Sequence, residues 1–304
     1  GVGFCDVSTQ GKIELFGPGA LQLIEHVCGN DFASLPVGRA RYGLMLREDG
    51  VVLDDGTTSR LGDQHFVMST STANAARVYQ HLHAVHQCDL PHLAVTIAPV
   101  TDQWAQLALA GPFSRATLTA LADRADLSAQ AVPFMAARSL TVMGGVPARL
   151  FRVSFSGELA YEIAVPRSQG ARLADALMEA GAGYGIAPYG TEAMGVMRIE
   201  KGHPAGPELN GQTTAADLGM GRMLSRRKNF VGRVLAGRPG LADPERPRLT
   251  GLTPLDPAMR IRSGAQLVAP GSTRPVGHIS SAAYSPSLGH WIGLGFVAGA
   301  ERRR

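Results

Sequence analysis

Three acidic side chains stand where carboxylates are costly. Asp54 and Asp55 close the run Val51-Val52-Leu53, whose three consecutive apolar residues imply a strand buried on both faces. Successive strand side chains point oppositely, so only one of the two carboxylates can share a given pocket. A carboxylate against an apolar floor needs a partner or a cationic ligand facing it. The alternative is a strand-end turn with both groups in water. Glu162 interrupts the apolar strand around Tyr161 and Ile163 and points to the opposite face from those two. It faces water, pairs with a base, or accepts hydrogen bonds; a ligand with adjacent N–H groups on one edge would suit its two oxygens best.

The segment His81-Leu82-His83-Ala84-Val85-His86-Gln87-Cys88 invites a metal reading. On a helix with Val78, Leu82 and Val85 inward, His81 and His83 splay apart, and only His83 and His86 could converge. A closed site wants four converging ligands, so no metal site is expected and a solvated helix rim is the reading. Walker loops, a GxGxxG between strand and helix, and a G-x-S-x-G elbow are all missing from the sequence. No nicotinamide or flavin dinucleotide site is expected in this chain.

The elements that must position these residues fall into a repeating design. Gly11–Phe16 alternates as a strand, and Gly17-Pro18 opens a helix through Leu21, Ile24 and Val27. Trp104–Ala110 is strand-like, and Gly111-Pro112 opens a helix through Ala116, Leu118 and Leu121. Proline fits the first helical turn, where its missing N–H has no intrahelical partner. Between them lie strands at 41–46, 51–55 and 66–70 and a helix at 73–87. Strands at 139–143, 148–155 and 160–165 follow, then helices at 168–180 and 193–201. The stretch 238–248 carries three prolines and alternating charge, which reads as a linker. Residues 249–297 hold short strands broken by Gly, Pro and Ser, a barrel or sandwich pattern. The expected fold is α+β: tandem antiparallel-sheet-plus-helix layers over 1–240 with a boundary near 90–100, then a small, incomplete C-terminal β-barrel domain over 249–304.

Composition narrows the class. The 304 residues are 45% hydrophobic and carry 29 basic against 25 acidic side chains, enough to build a core and too balanced for a basic stripe. Nucleic acid is therefore not an expected partner. No apolar run approaches the ~20 residues of a membrane span, so no membrane association is expected. Three scattered cysteines suggest a reducing, cytoplasmic compartment. Gly1-Val2-Gly3 runs straight into an apolar segment, and Glu301-Arg302-Arg303-Arg304 stops after a strand-like run; a piece of a longer protein is expected.

Several motifs, in order, resemble the aminomethyltransferase (glycine cleavage T-protein) family. They are Asp6-Val7-Ser8, Tyr42-Gly43-Leu44-Met45-Leu46, the Gly50–Asp55 run, Ser156-Gly157-Glu158 with Tyr161-Glu162-Ile163, Met197-Arg198-Ile199-Glu200, Phe230-Val231-Gly232-Arg233 and Ser285-Pro286-Ser287-Leu288-Gly289. The resemblance covers essentially the whole chain. Within the family, the stretch from Arg198 through Lys201-Gly202-His203 to Glu208 and Asn210, with Thr213-Thr214 and Asp217, is most similar to the C-terminal folate regions of heterotetrameric sarcosine oxidase α subunits.

That resemblance implies a tetrahydrofolate pocket. Asp54 matches the catalytic position beside the reactive nitrogens, and Glu162 the one that binds the amino-pyrimidine edge of the pterin. Thr70 and Phe155 match further pocket positions, where T-proteins commonly carry Asn and Tyr, and Tyr42 matches a wall residue. Met194 occupies the place of a folate-contacting arginine in T-proteins, and Arg198 matches a second arginine with a structural role. The resemblance also implies capture of an iminium from sarcosine oxidation as 5,10-methylenetetrahydrofolate, with β, γ and δ subunits as partners. FAD, FMN and NAD are expected only outside this chain. The rival readings are a free T-protein acting on a lipoyl-linked donor, a dimethylglycine dehydrogenase-like folate domain, a non-catalytic folate-binding assembly factor and an interaction-only module. Arg226-Arg227-Lys228 reads as a solvated loop.

Overall fold

The computed structural model describes residues 1–300; Glu301–Arg304, on which the expectation of a cut C-terminus rests, lie outside the described residues. The chain divides into two compact units, one of residues 1–27, 32–43 and 54–191 and one of residues 28–31, 44–53 and 192–304.

The first unit is built on two sheets. Its strands are β1 (Gly3–Asp6), β2 (Gly11–Phe16), β3 (Arg39–Leu46) up to Gly43, β4 (Val52–Gly62) from Asp54 on, β5 (His65–Thr70), β6 (Thr96–Pro99), β7 (Trp104–Ala110), β8 (Ala137–Val142), β9 (Val146–Phe151), β10 (Ala160–Pro166) and β11 (Ala187–Pro188). Its helices are α1 (Ala20–Val27), α2 (Ala75–Cys88), α3 (Ser114–Leu121) and α4 (Gly170–Gly181). One sheet runs β3-β4-β5-β2-β6 and the other β11-β1-β7-β10-β9-β8. The chain changes sheet between Pro99 and Trp104. The layers are not a simple tandem, because β1 pairs antiparallel with β7 and so belongs to the second sheet. Both strand–Gly-Pro–helix units form as expected, although α1 buries Leu23, Ile24 and Val27, leaving Leu21 only half-buried.

Register explains which faces meet. In β2, Ile13 and Leu15 share a face with Gly11, where a Cβ would come 2.7 Å from the Ala75 side chain at the start of α2. That face packs on helices. In the second sheet, Leu107, Leu109, Leu150, Tyr161, Ile163 and Val165 form a core with Leu118 and Leu121 of α3 and Leu173 and Leu177 of α4. The opposite faces look at each other, and they are partly polar. Lys12 and Glu14 alternate with the apolar residues of β2, yet they are 3% and 5% exposed. Arg149 of β9 holds Glu14 at 2.5 Å and stacks its guanidinium over Trp104, and His65 Nε2 lies 3.3 Å from Glu14. A seam between the sheets, lined by Lys12, Val67, Ser69, Trp104, Gln106, Arg149, Phe151 and Ala164, leaves no room for a water-sized sphere and is packing space.

The second unit contains α5, which starts at the unit boundary (Thr191–Lys201), the short helices α6 (Arg233–Ala236) and α7 (Pro239–Ala242), and β12 (Arg248–Leu252), β13 (Gln266–Val268), β14 (Pro275–Ser285) and β15 (His290–Val297). These strands form an antiparallel sheet, β12-β15-β14-β13, open among the described residues, in the region where the sequence suggests a small, incomplete β-barrel. Leu44, Leu46 and Val52 share a core with Ala215, Leu218, Phe230 and Phe296, which places the 44–53 hairpin in this unit. Gly50 has φ +86°, and a Cβ there would sit 2.4 Å from the Ala236 backbone nitrogen. The stretch 238–248 is not a free linker, because Pro239 opens α7 and Arg246 pairs with Asp217 at 2.6 Å. Arg198 is structural here: it meets Glu208 at 2.7 Å and donates to Ser281 Oγ at 2.6 Å, all three buried.

The Glu14–Arg149 pair lies between the two sheets, so cutting one partner strands a charge there. Arg149→Met should destabilise the protein by about 3 kcal/mol, and the double change with Glu14→Gln should cost less than the sum of the single changes. Urea denaturation of the four variants measures this.

Candidate functional site

The structure gathers the expected residues into two clusters, both in the first unit. Glu162 sits on the inner face of β10, opposite Ala108 of β7. Its Oε2 accepts a 2.6 Å hydrogen bond from Gln106 Nε2, and the same amide donates to Gln10 Oε1 at 3.1 Å. The other oxygen, Oε1, takes no hydrogen bond from the described residues, and the side chain remains half-buried rather than sealed. Burial pushes the Glu162 carboxyl up, while the Gln106 bond and the Lys12 charge favour the anion. Lys12 Nζ donates to Ser8 O at 3.0 Å and Gln10 O at 2.9 Å. Burial lowers its ammonium to about 8 against the opposing pull of Glu162, Asp6 and Asp102.

The second cluster surrounds Asp54, which is 0% exposed. Its Oδ2 accepts from the Ser71 backbone N–H at 2.9 Å, and its Oδ1 from Ser71 Oγ at 2.7 Å and Asn74 Nδ2 at 3.0 Å. These donors lead into α2, so a negative charge also meets the positive end of that helix. Both oxygens are engaged, and the carboxylate is a fixed charge rather than an open acceptor. Asp55, on the opposite side of β4, accepts from Tyr42 OH at 2.6 Å. Burial, opposed by the Tyr42 bond and reinforced by Asp54, raises the Asp55 carboxyl to about 6. Burial first, and then the two acids, push the Tyr42 hydroxyl far above the usual phenol range.

Thr70 lies beside the Asp54 cluster. It is 1% exposed, and its Oγ1 donates to Ser71 O at 3.1 Å. It faces Gly11 across the β2–β5 ladder, and a Cβ at Gly11 would come within 2.0 Å of Thr70 Oγ1. Gly11 thus permits the close approach, and Gln10 beside it reaches the Glu162 cluster. Thr9 and Thr72 hydroxyls, 3.3 Å apart, add a second tie between the β1–β2 loop and the start of α2. Phe155 departs from expectation: β9 ends at Phe151, and Phe155 sits half-buried in the 152–159 loop rather than in a strand. Beside it, Arg152 turns its guanidinium over Tyr161 and Phe134 and donates to Ala160 O. On α2, His83 packs edge-on against Tyr79 and His86 Nε2 lies 3.0 Å from Leu93 O.

Sequence reasoning missed Gln106, Gln10, Lys12, Ser71 and Asn74. Ser71 and Asn74 precede an apolar helix, a capping signal that was available. Gln106 is a lone polar residue on the face of β7 that carries Trp104 and Ala108, and that signal was also present. Lys12 gave none, because Lys12 and Glu14 look like the wet face of an ordinary strand.

The GCVT N-terminal domain matches residues 1–228, and the glycine cleavage T-protein C-terminal barrel domain matches residues 248–304. The chain is 50% identical to the sarcosine oxidase subunit alpha of Rhizobium meliloti (strain 1021), over 99% of this chain and 31% of that protein. It is 40% identical to the sarcosine oxidase subunit alpha of Corynebacterium sp. (strain P-1), over 99% and 32%. The chain thus spans about a third of the length of these relatives. An aminomethyltransferase of Streptomyces avermitilis is 36% identical over 98% of this chain and 79% of its own length. The fold matches the crystal structure of glycine cleavage system aminomethyltransferase T from Bartonella henselae with a TM-score of 0.85, covering 98% of this chain and 79% of that one at 24% identity. With two interlocked sheets, an open glutamate oxygen between them and these matches along its length, the chain belongs to the aminomethyltransferase (glycine cleavage T-protein) family.

Proposed function

We propose that this chain is the folate-binding, one-carbon-transfer part of a sarcosine oxidase α subunit. The observation that carries it is the state of Glu162: one oxygen is fixed by Gln106, and the other is left to accept. A pterin presents adjacent N–H donors on its amino-pyrimidine edge, and a half-buried carboxylate suits such an edge. Glu162 would hold that edge, and Thr70 and Tyr42 would bound the space toward Asp54. Phe155 would contribute a stacking face from its loop.

Tetrahydrofolate is the substrate in this reading and supplies two nucleophilic amines. In the whole enzyme, sarcosine would be oxidised elsewhere, with FAD, FMN and NAD and the β, γ and δ subunits, to an iminium. Its one-carbon unit would end here as 5,10-methylenetetrahydrofolate, with glycine released. Asp54 contributes a preorganised negative charge that favours the cationic electrophile without having to reorient. Because Ser71 and Asn74 occupy both its oxygens, Asp54 acts through its field more than by shuttling protons. Burial of the site limits attack by water. A free T-protein would instead take its carbon from a lipoyl-linked donor, and Met194 at the arginine position counts against that.

Glu162→Ala should weaken tetrahydrofolate binding about 10- to 100-fold, the worth of charge-assisted hydrogen bonds. Titration calorimetry checks this, and unchanged affinity contradicts the assignment. Asp54→Asn should keep most of the binding but lower one-carbon capture about 10- to 100-fold, with product shifting to formaldehyde. A folate-binding assembly factor would bind without showing any such change in product ratio.

Asp55 is separable by pH. Its carboxyl holds a proton more tightly in the folded state, from an ordinary 3.8 up to about 6. The stability this provides is present below pH ~4 and is lost as pH rises through ~6. Asp55→Asn keeps an acceptor for Tyr42 and does not titrate. Its stability relative to the parent should therefore improve by about 2–3 kcal/mol between pH 4 and 7.5. Urea melts at the two pH values report the difference, and a flat comparison refutes it.

A further inference from the structure

The polar side chain that controls Glu162 lies outside the family motifs. Gln106 is 2% exposed and is fastened on every side. Its backbone N–H donates to Ser8 Oγ at 3.0 Å, and its carbonyl accepts from the Val7 N–H at 2.9 Å. Its side-chain nitrogen spends its two hydrogens on Gln10 Oε1 and Glu162 Oε2. An ionised carboxylate only accepts, so the nitrogen of the amide, not its oxygen, must face Glu162. Gln10 is held in turn at its backbone, where Lys12 Nζ donates to the main-chain carbonyl. The result is a chain from Lys12 through Gln10 and Gln106 that fixes which Glu162 oxygen is used up and which is presented.

We propose that Gln106 is the positioning residue that sets the preference of Glu162 for a ligand edge bearing hydrogen-bond donors over an isosteric edge that lacks them. This rests on the folate reading above. The physical reason is entropy and angle. A glutamate free to rotate pays for its ordering on binding, and it can solvate itself when the ligand offers no donor. A glutamate pinned through one oxygen presents the other in one direction. A ligand without donors then leaves that oxygen buried and unpaired, and sites of that kind discriminate strongly.

The test compares tetrahydrofolate with its 2-desamino analogue, which keeps the N3–H but lacks the adjacent amino donor, by titration calorimetry on the intact protein, for the parent, Gln106→Met and Gln10→Met. The parent should prefer tetrahydrofolate by about 10- to 100-fold. Gln106→Met should reduce that preference about 10-fold, with tetrahydrofolate bound more weakly and the analogue bound as well or better. Gln10→Met removes one of the two anchors of the amide and should reduce the preference about 3-fold. Equal weakening of both ligands by Gln106→Met would mean a packing role and would overturn the proposal, as would an unchanged preference. Should Gln106→Met not fold, an unchanged preference in Gln10→Met overturns it alone. A parent that binds neither ligand instead removes the folate reading itself, and one that binds both equally shows that Glu162 does not read the edge.

Discussion

Burying polar groups between two sheets dictates much of this molecule. Lys12, Glu14, Gln106, Arg149 and Glu162 all lie on inner faces, where an unpartnered charge costs several kcal/mol. Each therefore finds a partner across or along the sheets: Arg149 with Glu14, Lys12 with two backbone carbonyls, Gln106 with Gln10 and Glu162. The pairing also sets the register between sheets, since Glu14 and Arg149 meet only if β2 and β9 lie in one relative position. Where this ledger of partners is left incomplete, at Glu162 Oε1, the molecule has an acceptor to offer.

The two carboxylates of the site differ in how they are held, and this separates their roles. Glu162 is pinned through one oxygen and open through the other. Asp54 is closed on both, at the entrance to α2, with no accessible surface. A fully bonded carboxylate keeps its charge and its place without reorganising, which suits electrostatic stabilisation better than proton transfer. Its neighbour Asp55 has the opposite character, protonating near pH 6 against Tyr42. Two adjacent aspartates on one strand thus differ because they point to opposite sides: Asp54 meets Ser71 and Asn74, and Asp55 meets Tyr42.

Much of the architecture was legible from local chemistry. The strands Gly11–Phe16 and Trp104–Ala110 and their Gly-Pro helix openings follow from alternation and turn residues, and both form as read. What alternation cannot show is what covers a face. Lys12 and Glu14 mark the polar side of β2, and only the second sheet turns that side into an interior. Pairing partners are equally hidden: β1 precedes β2 but joins β7, a long-range choice with no local signal. The prolines of 238–248 suggested freedom, while the Arg246–Asp217 pair, 29 residues apart in sequence, removes it. At the site, Glu162 stood out because an acid in an apolar strand is rare. Gln106 is as lone a polar residue on its face of β7, but which acid it serves is visible only once β10 is paired beside it.

The most direct measurement is a structure of the protein crystallised with tetrahydrofolate. The account predicts the pterin's amino-pyrimidine edge within hydrogen-bond distance of Glu162, with Gln106 still donating to the other carboxylate oxygen and Asp54 still held by Ser71 and Asn74. A pterin seated away from β10, or Glu162 swung out toward solvent in the complex, would contradict it.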